Sequence, residues 1–198
     1  MVILDPAHPR RRRGSARGRL LDAAARRFYA DGISATGIDT ITADAGVAKM
    51  SLYNNFDSKA DLVEAYLQVR HDEWLRLYDD RARTASDSRA LIGAVFDAYL
   101  DHAELAYENG FRGCGLLNAA AELPAGHPGR ALVRRHKDEV EGILRSHLVG
   151  LVDGERVDAV ALHLSFLLEG SMALAGLAGE SLKLQAAKQL ALALVDAL

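Results

Sequence analysis

Cys114 is the only cysteine in the chain, and Glu122, His127 and His136 follow it, so a thiol nucleophile served by a histidine base is the first chemistry to weigh. The thiol sits between Gly113 and Gly115 at the start of a short apolar segment, where a small side chain serves packing, and catalysis is the weaker reading. The seven histidines hold no H-x-x-x-H pair and have no further cysteine to join them. The sequence therefore offers no zinc site and points to no metal and no cofactor.

A second set of residues reads differently. In the run Lys49-Met50-Ser51-Leu52-Tyr53-Asn54-Asn55-Phe56, Leu52 and Phe56 lie one helical turn apart and can face inward. Met50, Tyr53 and Asn54 are then left on the opposite side, with Lys49 and Ser51 near the leading end. Donors and an aromatic ring turned outward suit base edges in the major groove of DNA. Upstream, Ile38, Ile41 and Ala45 recur at helical spacing, and Ala45-Gly46-Val47 supplies the turn of a helix-turn-helix. Thr36 or Gly37 would cap the first of those helices, leaving N–H groups that suit a phosphate. Ser58 and Asp61 form a capping-box-like start to the next helix, where Lys59 would add its ammonium to the helix dipole. The plain alternative for Lys59 is a solvated lysine.

A third set could hold a small molecule. Asn118 and Glu122 share a helical face beside Cys114 and Leu117, and Glu169 stands in the apolar run Phe166 to Gly176. Phe96, Tyr99, Leu117 and Phe166 would form apolar walls, with Asn118 as a polar anchor for a largely apolar ligand. In the alternative, Asn118 satisfies a turn, Glu122 faces water and Glu169 pairs across a dimer.

The elements that must position these groups are helices. Spacing predicts helices over 15–30, around 38–45 and 49–56, from 59 to 83, over 88–108, a short one after Cys114, then 129–149, 157–178 and 182–198. The fold class is all-α, an N-terminal three-helix DNA-binding domain followed by a helical ligand-binding and dimerisation domain. The boundaries expected are a disordered basic arm over 1–14, the helix-turn-helix over 15–60, and the second domain over 61–198. The arm carries Arg10 to Arg13, of which Arg12 and Arg13 are the nearest to the first helix and could enter a minor groove. The net charge of −3 divides unevenly: residues 1–58 carry nine Lys/Arg against six Asp, and the remainder is acidic. That asymmetry is the footprint of a DNA-binding module joined to something else. The arginine-rich start lacks the apolar core of a secretory signal. The apolar run Leu162 to Ala178 is broken by His163, Glu169, Gly170 and Gly176, so no membrane partner is expected.

Arg19 to Leu62, and above all AGVAKMSLYNNFDSKADL, resembles the DNA-binding domain of TetR-family transcriptional regulators (TetR/AcrR-like). The family pattern AGVS-x-x-x-LY-x-HF-x-SK-x-x-L is matched at Ala45, Gly46, Val47, Leu52, Tyr53, Phe56, Ser58, Lys59 and Leu62. Ala48 stands where a capping Ser is usual, a loss of about 1 kcal/mol, while Asn55 replaces a common His and Asp39 a common Arg. The single cysteine fits a reducing cytoplasm, and the resemblance implies a homodimer whose last two helices form a four-helix interface. It also implies a near-palindromic operator in double-stranded DNA, and an effector cavity whose lining it does not specify. The function that follows is a sequence-specific DNA-binding repressor released by a small-molecule effector; the alternative is a structural or division factor on the same fold without a ligand.

Overall fold

A computed structural model of the chain describes residues 15–104 and 109–198, and among these the regular structure is helical. The expectations for Arg12, Arg13 and the arm over 1–14 lie outside the described residues, as does the end of the fifth helix at Glu108.

Helix α1 (Ala16–Asp31) begins where Ser15 Oγ accepts the N–H of Gly18, and it buries Leu20, Ala23, Ala24 and Phe28 along one face. α2 (Ile38–Ala45) ends at Gly46, which adopts φ 61° and ψ 41°. That left-handed conformation suits glycine, and it turns the chain into α3 (Lys49–Tyr53). Arg19 Nε donates to the Ala45 carbonyl, and Arg27 Nε donates to Asp44, so α1 holds the end of α2 that leads into the turn. Leu52 and Phe56 drop into the core below α3, and the Arg17 guanidinium lies 4.9 Å from the Phe56 ring centroid.

α4 (Lys59–Ala82) starts with Ser58 Oγ accepting the Asp61 N–H, while Asp61 accepts the N–H of Asp57. At about 1.5 Å per residue it reaches from α1 through the rest of the molecule. Leu62, Val63 and Tyr66 belong to its first turns, and Trp74 and Tyr78 to its far half. There it packs on α5 (Ser88–Ala103) and α7 (Pro128–Leu148). The short α6 (Gly115–Glu122) is wedged between α1, α4 and α7. A Cβ on Gly115 would stand 3.0 Å from the Tyr29 ring, so this position admits glycine alone without movement.

α8 (Gly154–Ala178) and α9 (Leu182–Asp196) complete the second layer. α8 is long and apolar enough to cross a bilayer, yet Leu164, Leu168, Met172 and Ala175 are spent on the chain's own core. Its other face carries Leu162, Phe166, Leu174 and Leu177, and α9 adds Leu190, all exposed. Apolar residues thus divide between the protomer's core and an uncovered face, which the all-round apolar pattern could not apportion.

Candidate functional site

Two regions carry the chemistry. The first is the outer face of α3. Met50 is 69% exposed and Tyr53 48%, while Leu52 beneath them is fully buried. Asn54 is exposed and closes the helix, its N–H bonded to the Met50 carbonyl. Ser51 is half-buried, and its carbonyl accepts Asn55 Nδ2 at 2.7 Å, so that amide is partly spent inside the domain. Lys49 pairs with Asp39 at 2.8 Å, and this carboxylate raises the lysine above its ordinary value. Gly37 is the cap residue of α2 and offers no side-chain bond. Thr36 departs from expectation: its side chain is buried, and its hydroxyl donates to the Gly32 carbonyl at 2.6 Å, so only backbone is available there. Lys59 Nζ donates to the Ile33 carbonyl at 2.6 Å, which spends one of its three protons on the turn before α2.

The second region is a cavity between α4, α5, α6, α7 and α8. Its walls include Arg70, Trp74, Tyr99, Cys114, His136 and Met172, and its volume is about 20 Å³, room for one water. Beside it lies a half-buried ion pair. Lys137 Nζ donates to Glu169 Oε1 at 2.7 Å and to the Tyr99 hydroxyl at 3.1 Å, and it sits 3.5 Å from Cys114 Sγ. Burial works against the lysine's charge, but the Cys114 sulfur, the Tyr99 oxygen and the Glu169 carboxylate outweigh it and hold the pKa well above the ordinary value. Burial raises the Tyr99 hydroxyl, which stays protonated. His136 stands edge-on to Trp74, and burial, then the charge of Lys137, pushes its pKa down to about 3. Its Nδ1 faces His71 Nδ1 at 3.0 Å, one donating and the other accepting.

The remaining sequence-based candidates for this site are redistributed. Tyr99 and Cys114 line the cavity, Phe96 is buried in the core beside them, and Glu169 reaches the cluster through Lys137. Leu117 and Phe166 point outward, 40% and 66% exposed, because the helical faces carrying them lie away from α4. Asn118 does not anchor the cavity: its Nδ2 donates to the Arg112 carbonyl at 2.9 Å and steadies the entry to α6. Glu122 instead accepts the N–H groups of Ile33 and Ser34, in the turn ahead of α2. Sequence reasoning passed over Arg70, Trp74 and Lys137 and weighed His136 only as a base for Cys114, although Tyr66, Arg70 and Trp74 at four-residue intervals do place one polar stripe on α4.

The cavity wall and the helix-turn-helix share a segment. Arg112, two residues before Cys114, donates through its NH1 group to the carbonyls of Tyr29 and Ala30 at 2.7 and 2.6 Å. It covers the C-terminal end of α1 with positive charge. The Arg112 N–H donates to the Tyr29 hydroxyl at 2.6 Å, which in turn donates to the Gly113 carbonyl. Between Arg112 and Glu122, both ends of α6 hold α1 and the turn that follows it.

Residues 20–66 match the family model described as bacterial regulatory proteins, tetR family. A crystal structure of a TetR-family transcriptional regulator from Streptomyces coelicolor is 32% identical, with a TM-score of 0.79 over 92% of this chain and 93% of that one. The HTH-type transcriptional activator FasR of Mycolicibacterium smegmatis is 38% identical over 92 residues, 46% of this chain. The HTH-type transcriptional repressor KstR2 of Rhodococcus jostii is 34% identical over 90 residues, again 46% of this chain. The chain spans less than half the length of these two curated relatives, 42% and 44%.

Proposed function

The chain belongs to the TetR family of transcriptional regulators, and from that premise we propose that it is a homodimeric repressor released from its operator by a small molecule. The curated relatives carry both signs of regulation in their names, one an activator and one a repressor. The observation that carries the reading is the shared segment: Cys114 and Leu116 face the cavity while Arg112 and Glu122 grip α1 and the turn before α2. A ligand that moves α6 or α4 pulls on the helix-turn-helix directly. DNA affinity then falls by the ratio of the ligand's affinities for the two conformers. Leu162, Phe166 and Leu190 on α8 and α9 supply an uncovered apolar face for a second copy. Met50, Tyr53 and Asn54 face the groove, and Lys49 and Lys59 reach phosphates once Asp39 and Ile33 release them. The compartment that fits this role is the cytoplasm.

The small cavity favours one competing reading, a DNA-binding structural factor that takes no ligand. Selection of DNA fragments from a random pool, followed by thermal-shift screening of the protein alone and on the selected DNA, separates the two. A near-palindromic fragment bound by two copies, and a small molecule that stabilises the free protein while weakening that complex, is the expected outcome. Palindromic DNA binding with no stabilising ligand would favour the structural factor; no enriched sequence would sink both.

A further inference from the structure

We infer that the cavity is built for an organic carboxylate, held by Arg70 and the indole N–H of Trp74 on α4. This rests on the reading of the cavity as an effector site and names the class of effector. The cavity's α4 wall is donor-rich. Tyr66, Arg70 and Trp74 follow one another at four-residue intervals, so they share one face of the helix. The Tyr66 hydroxyl, Arg70 Nε and Trp74 Nε1 are buried and have no hydrogen-bond partner among the described residues. Trp74 is only 5% exposed, and both it and Arg70 line the cavity.

Donors left unpaired away from water select a ligand that brings acceptors. An arginine fork and an adjacent N–H match the two oxygens of a carboxylate better than a single carbonyl does. Arg70 also pairs through its NH2 group with Glu73 on its own helix, which leaves its Nε as the unpaired donor. On the opposite wall the positive charge of Lys137 is already matched by Glu169. The anion is therefore read from α4 and not from α7. Tyr99, Leu116 and Met172 leave the remainder of the ligand an apolar and aromatic surround. The free cavity has space for one water, so a carboxylate enters only as α4 and α6 part. Anchoring on α4 ties binding to the helix that begins at the DNA-reading domain.

Trp74 is the only tryptophan, so tryptophan fluorescence, excited beyond the tyrosine band, reports on this cavity. The full chain is titrated with benzoate and hexanoate, and with benzamide and hexanamide as neutral counterparts, while melting temperature is followed in parallel. Saturable fluorescence change and stabilisation by a carboxylate, at least about tenfold weaker for its amide, is the expected result, the scale of one charge-assisted hydrogen bond. Arg70→Gln should erase that preference. Trp74→Phe, which keeps a ring and removes only the N–H, should weaken carboxylate binding several-fold by calorimetry. Amides binding as well as acids, or no member of either series perturbing Trp74, would overturn the assignment. Operator affinity measured with and without the bound acid tests the regulatory reading separately: binding that leaves DNA affinity unchanged would reject release by ligand and leave the carboxylate site standing.

Discussion

The carboxylate of Glu122, the last residue of α6, accepts the backbone N–H of Ile33 at 2.9 Å across 89 positions of sequence, and its second oxygen accepts that of Ser34 at 2.7 Å. Two amides that α1 leaves unpaired at its exit are thereby held by the far domain. Lys59 Nζ takes the Ile33 carbonyl, so this one residue is clamped from both sides.

Glu122→Ala should release that clamp. Glu122 is exposed, so the global loss should be small, about 1 kcal/mol. The local effect should be larger: hydrogen exchange at the Ile33 and Ser34 amides should quicken while that of the α1 core is unchanged. Unaltered exchange at both amides would show that water replaces the carboxylate without consequence.

On α3, Tyr53→Ala and Asn54→Ala should each weaken operator binding by about 1–3 kcal/mol if they meet bases or phosphates. Melting temperature should hold, since both residues are exposed and stand above the anchors Leu52 and Phe56. Equal operator affinity in both variants would remove α3 from the groove.

Lys137→Met should cost about 1–3 kcal/mol, because it leaves the Glu169 carboxylate without its partner in a half-buried position. Adding Glu169→Leu should recover most of that loss. Denaturant melts of the two variants decide it: a double variant no more stable than the single would mean that packing around Lys137, not charge pairing, sustains this wall.

Acid should unfold the chain through His136. Its pKa is depressed to about 3 by burial, against about 6.5 in an unfolded chain. The depressed value means the contribution is complete above the unfolded pKa. It drains away as pH falls towards 3, because only the unfolded state takes up the proton. From pH 7 to 5 this residue alone removes about 2 kcal/mol. His136→Leu should flatten the stability profile in that window, and an unchanged slope would show that the folded state protonates His136 as readily as the unfolded one.

The helix-turn-helix was legible because its evidence is local. Leu52 and Phe56 are spaced by one turn, Gly46 stands where the backbone turns left-handed, and Ser58 caps the helix it precedes. The cavity was not, because its members meet only after folding. Arg70 on α4 and Lys137 on α7 look like ordinary surface charges in sequence. Whether an apolar residue on α8 faces its own core or a partner depends on how α7 and α9 pack against it: Leu164 turns inward and Phe166 outward though two positions apart. Glu122 and Asn118, one turn apart on one short helix, were assigned together to a ligand and serve the backbone of two different segments. Their partners lie outside any window of local spacing.

The division of labour within α3 bears on how such a chain changes over generations. Leu52 secures the helix from below, whereas Met50, Tyr53 and Asn54 rest on little of the protein. Substitutions at those three positions therefore escape selection for folding and, as proposed, answer only to the DNA they meet. Binding preference can drift from one target to another by single steps, each through a stable intermediate, while the cavity between α4 and α8 remains as it was. On the function proposed above, duplicated copies of the gene would come to answer the same chemical signal at different promoters.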